Sequence, residues 1–137
     1  MALSSDLMGL GVNPLQAART ATGGTGPLTI TPAGTSFATS TKIGCTQFLV
    51  TSTGAAGACL GLPAIGGDNG ALIADDYIIN NQGTATLQVF ASTSVLISVN
   101  GTISSRVSMT THTTMTLYPT TAVLATGTAN WVGTLGN

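Results

Sequence analysis

Apolar and polar residues alternate with a period of two along most of the chain, and short polar turns interrupt the alternation. Residues 84–89 show this most clearly, with small or apolar side chains at every second position. Residues 95–99 repeat the pattern and lead into Asn100-Gly101, a pair typical of a type I′ hairpin turn. Successive side chains of a β-strand point to opposite faces, so this pattern predicts strands with one buried face. Turn signals at intervals of about eight to twelve residues predict an all-β domain.

The other strands expected from this pattern are also short. They are predicted at 28–31, 45–51, 58–62 and 113–118, and shorter apolar or alternating runs lie at 77–79, 107–109, 122–125 and 131–132. About eight or nine short strands indicate a mainly β fold, namely a jelly-roll-like antiparallel β-sandwich. No repeat of fixed period is visible, so a solenoid is not expected. Trp131 is expected to be buried under the sheet.

Residues 1–27 differ from the rest and are interpreted as an N-terminal arm, followed by a β-sandwich domain over 28–137. Asn13-Pro14 is typical of a helix start, good helix formers continue to Arg19, and 22–27 form a Gly/Thr-rich linker. So short a helix is marginal alone, and we expect the arm to dock on a shell or a neighbouring subunit. A frayed terminus is the alternative. The apolar residues expected to make the attachment are Leu3, Leu7, Met8, Leu10, Val12 and Leu15.

Charged residues are rare. They make up 5% of the chain, against about 25% in an ordinary globular protein. Glutamate is absent, and 25 threonines supply hydroxyl groups instead. A net charge of −1 offers no attraction for nucleic acid or for an anionic membrane, so neither is an expected partner. Strand edges that carry few charged residues are poorly protected against pairing with other chains. This indicates that much of the surface is covered by an oligomer or a lattice. The alternative is a monomer kept soluble by Thr, Ser and Asn.

Cys45 and Cys59 are the only cysteines. Both lie in apolar surroundings, which favours free buried thiols, with a disulfide as the alternative. No basic segment followed by a long apolar stretch opens the chain, and no apolar run approaches the roughly 20 residues needed to cross a bilayer. The protein is therefore expected to be made in a cytoplasm.

The candidate catalytic and ligand-binding residues form no recognisable site. Asp75 and Asp76 are adjacent and would point to opposite faces of a strand, so they are interpreted as a strand-opening turn. His112 is the only histidine and is expected at the surface or in an interface. The 68–70 segment lacks the remaining ligands of a calcium loop, and 23–26 lacks the lysine of a phosphate loop. We therefore expect no enzyme, no cofactor and no metal site.

The order of several short motifs resembles a known family. These motifs are the 75–103 stretch with its Asp-Asp-Tyr start and Asn-Gly turn, the hydroxyl-rich strand at 113–118, the closing segment at 130–133, and 5–18 at the start. Together they resemble the decoration, or cement, proteins of tailed-bacteriophage capsids. The resemblance implies a structural protein on the capsid exterior of the virion. It also implies the major capsid protein as partner and self-association as a trimer, or else a dimer.

The sequence fits two other classes of function less well. A phage fibre or carbohydrate-binding module would be expected to expose aromatic residues, whereas most of the few aromatics here occupy core-like positions. An ice-binding protein would need a regular Thr ladder, and the Thr-rich 110–121 segment lacks that regularity.

Overall fold

The fold is mainly β. The computed structural model describes residues 28–45, 47, 49–52, 58–66, 70–73, 75–120, 123–124 and 127–136. Within these ranges the chain forms twelve strands. They are β1 (Leu28–Ile30), β2 (Thr41–Lys42), β3 (Leu49–Ser52), β4 (Cys59–Gly61), β5 (Tyr77–Asn81), β6 (Leu87–Phe90), β7 (Leu96–Val99), β8 (Thr102–Ser104), β9 (Arg106–Met109), β10 (Thr113–Pro119), β11 (Val123–Leu124) and β12 (Gly127–Gly136). The prediction of a mainly β protein is confirmed.

The strands form two mixed sheets. The large sheet has the order β1-β3-β5-β10-β12-β7-β8, with β11 paired to β12, and the small sheet has the order β2-β4-β6-β9. Parallel pairs join β1 to β3, β3 to β5, β7 to β12, β2 to β4 and β4 to β6. The expectation of purely antiparallel sheets, as in a jelly roll, is wrong at these pairs.

Four of the five parallel pairs, all except that of β7 with β12, arise from the path of the first six strands. These strands alternate between the large and the small sheet, so each further turn adds one strand to each sheet in the same direction. Leu28, Val50 and Ile79 share one register position on three successive strands. The intervals between them are unequal, which explains why the sequence shows no fixed period.

One buried cluster draws on both sheets. It includes Val50, Ile79 and Met115 from the large sheet and Leu60 and Val89 from the small sheet, all at most 1% exposed. The ring of Trp131 packs edge-on against that of Tyr77, with 5.2 Å between the centroids and 83° between the planes. Trp131 is 0% exposed, so its predicted burial is confirmed.

The β7–β8 hairpin follows the turn predicted for Asn100-Gly101. Both residues have positive φ, 50° and 82°, and Val99 pairs with Thr102 across the turn. Positive φ at both central positions is what a type I′ turn requires. The predicted arm and its helix lie outside the described residues.

Candidate interaction face

The large sheet has one buried face and one outward face. In β5, Tyr77 and Ile79 are buried while Ile78 between them is exposed. β10 shows the same alternation, because Met115 and Leu117 are buried while Thr114 and Tyr118 are exposed. Strand alternation thus sets every second side chain of these strands on the outward face.

The strand register arranges the outward side chains in three rows. Together these residues form what we call the outer face. The first row is Thr29, Thr51, Asn80 and Thr114; the second is Leu49, Ile78, Thr116 and Thr134; the third is Tyr118, Val132 and Ile103, with the buried Ser98 between the last two. None of them is charged.

Most of the large apolar side chains that are exposed in the described residues lie on the outer face. Leu49 and Ile78 are each 36% exposed, and Tyr118 is 41% exposed. Ile73, at 52%, has no place in the strand register that defines the face and lies in the segment before β5. Single exposed apolar residues are ordinary, but a contiguous group on one face of a sheet is typical of an interaction surface.

The polar end of the outer face is hydrogen-bonded within itself. Asn80 Oδ1 accepts from Gln82 Nε2 at 2.8 Å and from Thr114 Oγ1 at 3.4 Å. Side chains that already bond to one another lose less hydrogen bonding to water when a partner covers them. This end of the face can therefore be buried at a modest cost.

The described charges lie on the small sheet or directly before β5. Lys42 belongs to the small sheet, where its ammonium group donates to the Phe37 and Ser40 carbonyls and lies 4.1 Å from the Phe37 ring centroid. Arg106 opens β9 of the same sheet. Asp75 and Asp76 directly precede β5.

The aspartate and histidine candidates fall in turns. Asp75 Oδ2 accepts from Leu72 N at 3.2 Å, and Asp75 N donates to Leu72 O at 3.1 Å, so its predicted turn role is confirmed. His112 is exposed with φ of 59°, and its backbone N donates to Asn81 O at 2.8 Å. The 23–26 segment and most of 68–70 lie outside the described residues. Within the described part of the chain, no three His, Cys, Asp or Glu side chains are grouped to hold a metal ion.

Neither cysteine forms a disulfide, as predicted, although Cys45 is only half-buried. Cys59 is buried in β4, and this burial raises the pKa of its thiol, an effect that the charge of Arg106 partly opposes. A buried thiol with a raised pKa is a poor nucleophile. The Cys45 carbonyl accepts a 2.5 Å hydrogen bond from the Tyr77 hydroxyl, so it has a structural role beside the core.

The attachment residues predicted on the arm, from Leu3 to Leu15, all lie outside the described residues. The outer face was not anticipated from the sequence. Its signal was present, because Leu49 and Ile78 are apolar at positions of opposite parity to the core residues Val50 and Ile79. That these two side chains lie next to each other follows only from the order of the strands in the sheet.

Comparison with known protein families, with curated proteins and with solved structures finds no match for this chain. No helix in the described ranges is long and apolar enough to cross a membrane.

Proposed function

We propose that this protein is a structural decoration subunit that binds the outside of a tailed-phage head as a homo-oligomer and bridges major capsid subunits. The observation that carries the proposal is the uncharged outer face, with Leu49, Ile78 and Tyr118 exposed on it. The order of sequence motifs shared with capsid decoration proteins supports the same role.

The absence of charge on this face is consistent with permanent coverage. Burying a charged side chain costs several kcal/mol unless a partner charge meets it with good geometry. Hydroxyl and amide groups are cheaper to bury, because they can exchange water for hydrogen bonds across the interface. A surface built from threonine, asparagine and apolar side chains is therefore suited to a shell from which it rarely dissociates.

We also infer that the two sheets pack face to face as a sandwich. The support is the single buried cluster to which both contribute, including Ile79 from the large sheet and Val89 from the small one. In such a sandwich the outer face of the large sheet is turned away from the small sheet and is free to meet the shell.

The proposal is tested by sedimenting the purified protein with phage heads. These heads are assembled from the major capsid protein encoded with this chain, and the assembly mixture lacks the chain itself. The expected result is saturable binding at a fixed ratio to capsid subunits, together with greater resistance of the decorated heads to heat. Absence of binding, or binding that never saturates, would refute a decoration role.

A carbohydrate-binding or fibre module is the second candidate, and one observation favours it. Tyr118 presents an exposed aromatic ring on the outer face, and aromatic rings are common platforms for sugars. Screening on a glycan array decides the matter, with Tyr118→Ala as the matched variant. Specific glycan binding that this substitution abolishes would favour the second candidate over the first.

A further inference from the structure

A cleft of about 440 Å³ lies where the ends of the two sheets meet. Val99, Val107 and Leu135 supply its apolar lining, while Thr102, Ser104 and Ser108 contribute hydroxyl groups. Arg106 is the one charged residue among the described residues that line it. An apolar floor with a few polar groups and one charge is typical of a binding site.

The cleft is open to strand addition. Three consecutive residues of β9, Arg106 to Ser108, line it. Since neighbouring side chains of a strand point to opposite faces, three in a row line a cleft when the edge of the strand faces it. β9 pairs with β6 on one side and is the last strand of the small sheet among those described. Its free backbone groups are thus available to an added strand.

Arg106 specifies the chemistry of the added strand. It is exposed, and the lining residues that the structure describes include no acidic one. The guanidinium group is suited to a carboxylate, which it can bind through two parallel hydrogen bonds. The site therefore fits an extended segment in which an acidic residue is next to an apolar one, matching Arg106 next to Val107.

We propose that the occupant is the N-terminal segment of a neighbouring copy of this chain, added as a strand along β9 with Asp6 paired to Arg106. Asp6 is the only acidic residue ahead of Leu28, and Leu7 follows it directly. The alternation of charged and apolar residues is thus the same on both segments. Leu7 fills the apolar part of the cleft beside Val107.

The position of the arm in the fold supports a neighbouring copy. The arm joins β1, which is one end strand of the large sheet, while β8, at the cleft, is the other end strand. An arm that leaves at one edge and binds at the opposite edge produces head-to-tail contacts, which close into a ring when the rotation allows it. A ring of three would be the trimer that the resemblance to capsid decoration proteins implies, with a dimer as the alternative.

This inference rests on the homo-oligomer of the proposed function and does not depend on binding to a shell. Charge reversal tests it, with oligomeric state measured by native mass spectrometry and light scattering. Arg106→Asp and Asp6→Arg should each weaken association by about 100-fold, because like charges then face each other. The double variant should restore the trimer. Asp76→Arg, which reverses an exposed acid elsewhere, is the matched control and should leave the trimer intact.

Cross-linking identifies which copy supplies the segment. Met8→Cys and Ser108→Cys, which are opposite each other in this register, are combined in a Cys45→Ser background and treated with a short bismaleimide. Covalent trimers on a denaturing gel are expected. Cross-linked monomers would show that each arm fills its own cleft, and no cross-link, or a double variant that stays dissociated, would overturn the assignment. A trimer that passes both tests but fails to bind heads would refute the decoration role alone.

Discussion

Asn81 ties β5 to the neighbouring turns and to β9 through its side chain. Its Nδ2 lies 3.0 Å from the Ala85 and Thr110 carbonyls and 3.1 Å from that of Met109, and its Oδ1 accepts from Gly83 N at 3.1 Å. The residue is 1% exposed, so water cannot replace these partners. An amide is the side-chain group that can donate to carbonyls and accept from an N–H at one buried position.

Substituting Asn81 should therefore destabilise the fold. Asn81→Ala is expected to lower the free energy of unfolding by about 1–3 kcal/mol, since it leaves buried polar groups without partners. Asn81→Asp keeps the shape but directs a carboxylate at carbonyl oxygens. Its folded-state pKa is raised, so its stability should fall further as pH rises above about 4. Urea denaturation at pH 4 and pH 7 measures the free energy of unfolding of both variants. Variants as stable as the wild type would contradict a stabilising role for the Asn81 side chain.

Trp131 provides a second prediction at the residue scale. Trp131→Ala should cost about 3–5 kcal/mol, because it empties a large volume in the core. Trp131→Phe should cost less, since the indole N–H has no hydrogen-bond partner among the described residues. The fluorescence emission should be blue-shifted even in dissociated protein. Emission like that of free tryptophan would contradict the packing of β12 over the core.

Glycines along β12 and at the β7–β8 turn test individual elements. A Cβ on Gly133 would lie 1.8 Å from the Thr116 carbonyl oxygen of β10, so Gly133→Ala should be the most damaging substitution. Gly101 has open space but a φ of 82°, and Gly101→Ala should cost about 1–2 kcal/mol from backbone strain alone. Gly136 has open space and no such φ, which makes Gly136→Ala the neutral control. Thermal melts that do not follow this order would contradict the strand register.

The elements best predicted from the sequence are those set by local chemistry. The Asn100-Gly101 hairpin and the strand at 113–118 follow from turn residues and alternation alone. The strand predicted from residue 45 instead begins at Leu49, because Gly44 and Gln47 form a turn. In that turn Gln47 N donates to Gly44 O at 3.0 Å, and Gly44 N donates to Gln47 Oε1 at 2.6 Å.

The parallel pairing and the candidate site depend on distant residues, and the sequence did not predict them. Leu49 and Ile78 share a register position although the chain between them crosses to the small sheet and back. The alternation shows that a side chain points outward. It does not show which outward side chains on different strands are neighbours. The outer face became visible once the strand order was known.

At the scale of the whole molecule, the arm and the β domain should be separable. Deleting residues 2–20 should leave the melting temperature nearly unchanged, since the described core residues, from Ile43 to Trp131, already form one cluster between the two sheets. The shortened protein should be monomeric and should bind heads weakly, because single contacts lose the gain from multivalency. Calorimetry, light scattering and sedimentation with heads provide the three readouts. Normal decoration by the shortened protein would show that neither assembly nor attachment needs the arm.

The claim that the outer face meets the shell is tested most directly by a matched pair of isoleucines. Ile78 lies on the outer face at 36% exposure, and Ile73, at 52%, has no place in the strand register that defines the face. Ile78→Lys and Ile73→Lys add the same charge to exposed positions, and the affinity of each variant for undecorated heads is measured beside its melting temperature. The account predicts that Ile78→Lys loses binding at an unchanged melting temperature, while Ile73→Lys binds like the wild type. Equal binding by both variants would contradict the outer face as the attachment surface.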